Sequence, residues 1–240
     1  MISSVLANGN NFFTSLGPIS STLTPHFLLK AETRLYSSNL SLSVANSINP
    51  TGLKPMIMNE LEYRNIQNEH WKSSYKLGVW HHTGNIFYDL TRPEVELGKH
   101  PLVKGNSGVY LIADKVLRFE KQDSSQFLSG FFTLDYVPGN QNFYNYSIGG
   151  GLSYTGLFKK RTQDVISIGA FCPFVNDKLV KEQGFAKNEI EAEINYNVKV
   201  NAFINLQPSF QYIYQPGAVV GSYNPVAFLL RCSIRNGLFN

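Results

Sequence analysis

Three glutamates spaced by two, Glu189, Glu191 and Glu193, are followed in the same phase by Asn195, Asn197, Lys199 and Asn201. Carboxylates at every second position can accept the hydroxyls of a sugar or balance cations. They repel one another unless positive charge sits near. Lys199, Arg231 and Arg235 have the phase to supply it. Trp80 and His82 share a phase with Lys76 and Gly78. A ring beside polar groups suits a sugar: the ring covers the apolar face of a pyranose and the polar groups fix its hydroxyls. Both sets also have a plain structural reading, a solvated strand face for the glutamates and a packing or interfacial role for the tryptophan. Arg161 and Asp164 bracket a short turn and are expected to pair across it.

Other chemistries find no support. His81 and His82 are adjacent on a strand, so their rings point to opposite faces and cannot chelate together. No nucleophile elbow, phosphate loop or metal cluster occurs, so neither metal, cofactor nor enzymatic reaction is expected. The net charge of +4 is dispersed, without the basic cluster that tracks phosphates, which argues against nucleic acid as a partner. Cys172 and Cys232 occupy apolar-phase positions and read as small hydrophobes.

The elements that must carry these residues are strands. Within 188–201, the residues from Glu189 to Asn201 alternate polar and apolar without error, with Ile190, Ala192, Ile194, Tyr196, Val198 and Val200 opposing the polar series. A period of two is a β-strand. About 12 residues rise roughly 40 Å and, tilted by about 40°, span roughly 30 Å, the hydrocarbon core of a bilayer. Eleven such candidates follow a loop-like segment at 1–24: 25–36, 38–46, 55–66, 73–83, 108–120, 126–137, 144–156, 164–173, 188–201, 203–215 and 225–239. In 126–137, Leu128, Phe132, Leu134 and Tyr136 oppose Ser129, Thr133 and Asp135. In 203–215, Leu206, Phe210, Tyr212 and Tyr214 oppose Gln207, Ser209 and Gln211. Strands 55–66 and 108–120 alternate less cleanly and their faces stay open.

Joins at 36–38, 157–163 and 201–203 are short, and those at 84–107, 174–187 and 216–224 are long. Transmembrane barrels have this asymmetry, with short periplasmic turns and longer outer loops. Tyr136, Tyr154, Tyr212 and Tyr214 lie near strand ends, where interfacial girdles sit. Apolar residues make up 43% of the chain and charged residues 16%, and no apolar run is long enough for a spanning helix. The competing architecture is a soluble β-barrel or sandwich serving as a binding module, with the apolar face turned inward.

The stretch GGGLSYTGLFKKRTQDVISIGAF (149–171), the acidic strand at 189–196, LQPSFQYIYQPG (206–217) and the final strand to Phe239 resemble the carbohydrate-selective porin family of Gram-negative outer membranes. YKLGVWHHTG (75–84) and GVYLIADKVLRFE (108–120) resemble its central segments. The resemblance covers roughly 70–240. It implies an all-β, antiparallel transmembrane barrel of about sixteen strands, of which residues 25–240 would supply about 10–12. The expected function is passive diffusion of mono- or oligosaccharides, by a truncated copy. A general porin without sugar preference and a non-functional remnant remain alternatives. The implied partners are outer-membrane lipid, sugar solutes and the barrel-insertion machinery, and a homo-oligomer stays open. The expected location is the bacterial outer membrane, although residues 1–21 lack a signal-peptide pattern and Asn240 follows the terminal aromatic that the family places last.

Overall fold

The computed structural model describes residues 27–33, 40–48, 56–67, 70–84, 87–91, 102–120 and 125–234, with side chains from 58–63, 73–84, 89–91, 103–120 and 125–234. The loop expected at 1–24, Arg235 and the C-terminal Phe239-Asn240 lie outside the described residues. The chain runs β1 (Phe27–Thr33), β2 (Leu40–Ile48), β3 (Met56–Gln67), β4 (His70–His82), the two-residue strands β5 (Phe87–Tyr88) and β6 (Leu102–Val103), β7 (Asn106–Phe119), β8 (Phe127–Tyr136), β9 (Tyr144–Thr155), β10 (Val165–Val175), α1 (Asp177–Gln183), β11 (Ile190–Lys199), β12 (Ile204–Tyr214) and β13 (Val226–Ile234).

Eleven strands form one antiparallel sheet in the order β1-β2-β3-β4-β7-β8-β9-β10-β11-β12-β13, and β5 pairs β6 in a separate hairpin. Each strand of the large sheet thus lies beside its next long neighbour in sequence. All eleven anticipated strands are present, displaced by a few residues at their ends. Because an even number of antiparallel steps separates β1 from β13, the two edge strands run in the same direction. Among the described residues they do not pair with each other.

The faces of this sheet are inverted relative to a soluble protein. On β11, Ile190 and Ile194 are 37% and 43% exposed, while Glu193 and Asn195 are 6% and 5% exposed. Leu77, Val79, Leu111, Leu134, Ile148, Leu152 and Ile168 also point outward and are exposed, whereas Glu62, Ser74, Asp114, Ser153, Ser167, Gln207 and Gln211 are buried. Apolar area left in water forgoes about 25 cal/mol per Å² of transfer free energy, so an apolar exterior over a polar interior suits lipid outside. In lipid the backbone must also satisfy itself, which the ladder does for the nine inner strands; among the described residues β1 and β13 are paired on one side. The sandwich alternative requires the opposite arrangement and is overturned.

Glycine makes room for rings on the inner face. Tyr110 lies across Gly78 on the neighbouring strand, at a distance that leaves no space for a Cβ. Phe131 covers Gly151, whose added Cβ would fall 2.5 Å from the Ile168 carbonyl oxygen and 2.6 Å from the Phe131 ring.

The long joins pack together at one end of the sheet. Val175, Leu179, Ala186 and Ala218 form a small buried core against Leu90, Phe143 and Phe185. The Leu90 amide donates to the Asn140 carbonyl at 2.9 Å and the Ala186 amide to the Ala218 carbonyl at 2.8 Å. Two elements in these joins differ from the loop expected there, the β5–β6 hairpin and α1. Helix α1 is built by its caps: Asn176 Oδ1 accepts from the Lys178 amide at 3.0 Å, and Gly184 closes the end at φ 73°. Seven residues are too few to show a helical period.

Candidate functional site

The polar inner face is the candidate site, and it holds two dense clusters. The first joins β3, β4 and β7. Tyr110 Oη donates to Glu60 Oε2 at 2.6 Å, and Ser74 Oγ donates to Glu62 Oε1 at 2.8 Å. Lys76 Nζ lies 3.4 Å from Glu60 Oε1 and 3.9 Å from Glu62 Oε1, so one cation is shared by two carboxylates. Asp114 is buried beside them, and its Oδ1 has no hydrogen-bond partner among the described residues. The second cluster joins β9, β11, β12 and the loop after β12. Glu189 Oε2 accepts from Tyr144 Oη and from the Gly217 amide, each at 2.8 Å. Glu193 accepts from Asn195 Nδ2 at 3.0 Å and from Gln211 Nε2 at 2.8 Å. Between the clusters Asp135 accepts from Ser147, and Ser153 and Ser167 share a hydrogen bond of 2.9 Å. Such a wall offers acceptors, donors and rings; on the exposed face of the same strands His81 Nδ1 and Ser107 Oγ lie 2.7 Å apart. No group of three or more metal-ligating side chains occurs among the described residues.

A protein-family model for the carbohydrate-selective porin, OprB family, matches residues 19–235. The chain belongs to that family. It is 26% identical over 174 residues to Porin B of Pseudomonas aeruginosa, which covers 63% of this chain and 38% of that protein. The high-pH structure of Pseudomonas putida OprB matches with a TM-score of 0.73 at 21% identity, over 87% of this chain and 58% of that one. The low-pH structure matches with a TM-score of 0.59 at 18% identity, over 86% and 54%. The chain therefore spans 38–58% of the length of these OprB relatives.

Within this OprB-family sheet, Glu189, Glu191, Glu193 and Asn195 share the inner face of β11 and its approach. Two of the three cations expected to relieve them, Arg231 and Lys199, are elsewhere. Gln211 stands opposite Glu193, and Gln207 opposite Arg231, so Arg231 sits four residues, about 13 Å, further along the sheet. Lys199 is at the far end of β11, six residues from Glu193 and in register with Asn205. Neutral donors take the place of ion pairs: a phenol, two side-chain amides and one backbone N–H. Trp80 and His82 are half-buried on the inner face of β4. The Trp80 ring covers Gly108, where an added Cβ would be 2.6 Å from Nε1, and His82 Nδ1 accepts from the Gly84 amide at 3.0 Å.

Arg161 and Asp164 meet outside the strands, in the turn between β9 and β10. Arg161 Nε donates to Asp164 Oδ2 and Nη2 to Oδ1, the latter at 3.2 Å. The same carboxylate accepts from Tyr196 Oη at 2.6 Å and from the Lys199 amide at 3.0 Å. Burial alone would raise the Asp164 pKa. The donors from Arg161, Tyr196 and the Lys199 backbone outweigh it and hold the carboxyl below its ordinary value.

Glu60, Glu62, Tyr110 and Asp114 are inner-face polar groups that the sequence did not single out. At 60–63 the alternation Glu-Leu-Glu-Tyr was a usable signal. On β7 the inward series includes Tyr110, Ile112 and Val116, so apolar residues on the wet face obscure the alternation there.

Proposed function

We propose that this chain forms part of the wall of a bacterial outer-membrane pore through which mono- or oligosaccharides diffuse passively. The observation that carries the proposal is the inversion of the sheet, apolar toward the exterior and polar toward the interior along strands long enough to cross a bilayer. Membership of a carbohydrate-selective family supports the choice of solute. Transport needs no chemical step, so the protein contributes pore radius, hydrogen-bonding groups and electrostatic bias. Glu189, Glu191, Glu193 and Asn195 are proposed to meet sugar hydroxyls along one side of the lumen. Trp80, with Lys76 and His82, is proposed to present a ring and flanking polar groups on the other. Arg231 and Lys199 would line the part nearer the short turns, and Arg161 with Asp164 would hold a rim turn. The proposed surroundings are outer-membrane lipid, reached through export and the barrel-insertion machinery, and a homo-oligomer is compatible with them.

Proteoliposome swelling tests this reading. Vesicles carrying the purified chain should swell in hexoses faster than in non-sugar solutes of the same size. Equal rates would reduce the function to a general porin, and no swelling above empty vesicles would end the pore reading.

A further inference from the structure

The strand register places the carboxylates of both clusters in one continuous belt. Glu62 pairs across to Lys76, then Ile112, Thr133, Gly149, Phe171 and finally Glu191, one unbroken row through seven strands. The adjacent row toward the long joins runs from Glu60 through Gly78, Tyr110, Asp135, Ser147 and Pro173, whose carbonyl accepts from the Glu189 amide at 3.2 Å. The adjacent row on the other side holds Asp114 and Glu193. Residues far apart in sequence thus occupy three neighbouring rows about 7 Å apart. Because strands of such barrels tilt by about 40°, the belt climbs the wall obliquely.

Little positive charge balances it. In these rows the register places two cations, Lys76 opposite Glu62 and Arg64 opposite Ser74, against the carboxylates Glu60, Glu62, Asp114, Asp135, Glu191 and Glu193. Arg231 and Lys199 fall in rows nearer the short turns. The chain as a whole carries +4, and exposed lysines and arginines sit in the joins: Lys159, Lys160 and Arg161 between β9 and β10, and Lys178, Lys181 and Lys187 around α1. Asp114 adds an independent sign that the belt is short of positive donors. It is 6% exposed, and its Oδ1 is without a hydrogen-bond partner among the described residues.

We propose that this belt makes the pore sort solutes by charge, passing cations and neutral or protonated amino sugars in preference to anions and sugar acids. A lumen lined by one sign of charge within low-dielectric walls raises the local concentration of the opposite sign. The inference rests on the pore reading above.

The test uses the full chain in planar bilayers under a potassium chloride gradient at mildly alkaline pH, with neutral-hexose swelling measured in parallel. The reversal potential should report a several-fold preference for potassium over chloride at about 0.1 M salt. That preference should shrink toward unity at about 1 M, where the screening length falls from about 10 Å to about 3 Å. The triple variant Glu62→Gln, Glu191→Gln, Glu193→Gln should lower the ratio at 0.1 M. A protonated amino sugar should swell vesicles faster than a sugar acid of the same ring size. Open channels with a ratio at or below one, or with a ratio insensitive to salt, overturn the proposal while leaving the pore intact. Absence of both conductance and hexose swelling overturns the pore reading, and this inference with it. Should the triple variant not fold, the salt dependence and the charged-sugar comparison on the unaltered chain decide the matter.

Discussion

Tyr196 donates its phenol to Asp164 Oδ2 at 2.6 Å, tying β11 to the turn that leads into β10. Arg161 and the Lys199 amide converge on the same carboxylate. Replacing the buried Asp164 by Ala removes the carboxylate on which three donors converge, and hydrogen bonds to a charged group are worth about 1.5–3 kcal/mol. Asp164→Ala should lower the unfolding free energy in detergent micelles by about that amount, and Tyr196→Phe by about 1 kcal/mol. An unchanged urea midpoint for Asp164→Ala would mean that water replaces the carboxylate at no cost.

The same turn should show a defined acid response. The Asp164 carboxyl titrates lower in the folded chain than the ordinary value of about 3.9. A depressed folded pKa gives stability that is present above the unfolded value and lost as pH falls through the folded one. The stability difference between the unaltered chain and Asp164→Asn should therefore stay constant from neutral pH down to about pH 5 and then shrink below the ordinary carboxylate range. Urea unfolding at stepped pH measures it, and a gap that closes already between pH 7 and 5 would contradict the clamp.

Ile194 and Asn195 are neighbours in sequence that face opposite media. Arginine on the lipid side at mid-depth costs about 2–4 kcal/mol, whereas a lumen substitution alters selectivity. Ile194→Arg should reduce the folded fraction on heat-modifiability gels. Asn195→Arg should fold and lower the potassium-to-chloride ratio. Equal folding yields for the two would contradict the assignment of faces.

Gly151 of β9 should differ sharply from Gly130 of β8. At Gly151 a methyl group would lie 2.5 Å from backbone oxygen and 2.6 Å from a ring, while at Gly130 it meets the tips of Leu117 and Leu152, each at 3.3 Å, and the Gly151 carbonyl oxygen at an ordinary 3.5 Å. Overpacking of a fixed site costs about 1–3 kcal/mol. Gly151→Ala should lower the unfolding free energy by about that amount, and Gly130→Ala should leave it nearly unchanged. Comparable urea midpoints for the two variants would show that the wall can yield at Gly151.

Much of this architecture was legible as pattern. Alternation between lipid and lumen set the faces of β8, β11 and β12, because each residue there follows the solvent it meets. The faces of β7 were not legible. Its inner series holds Tyr110 and Ile112, and Tyr110 fits only because Gly78 stands on the strand beside it. That compensation is made across strands and leaves no trace within either segment. Cross-strand register was hidden for the same reason, so Arg231 and Lys199 shared a phase with the glutamates without coming near them. Helix α1 escaped notice because a seven-residue helix depends on Asn176 and Gly184 at its ends more than on periodicity.

Glu189 is gripped from two directions, by the Tyr144 phenol on β9 and by the Gly217 amide beyond β12. Gly217 borders Ala218, a member of the buried cluster that knits the long joins together. One carboxylate is thus a rivet between the packed joins and the sheet. A force that lifts those joins must pull on the acidic face of β11 as well, so the two are mechanically one part.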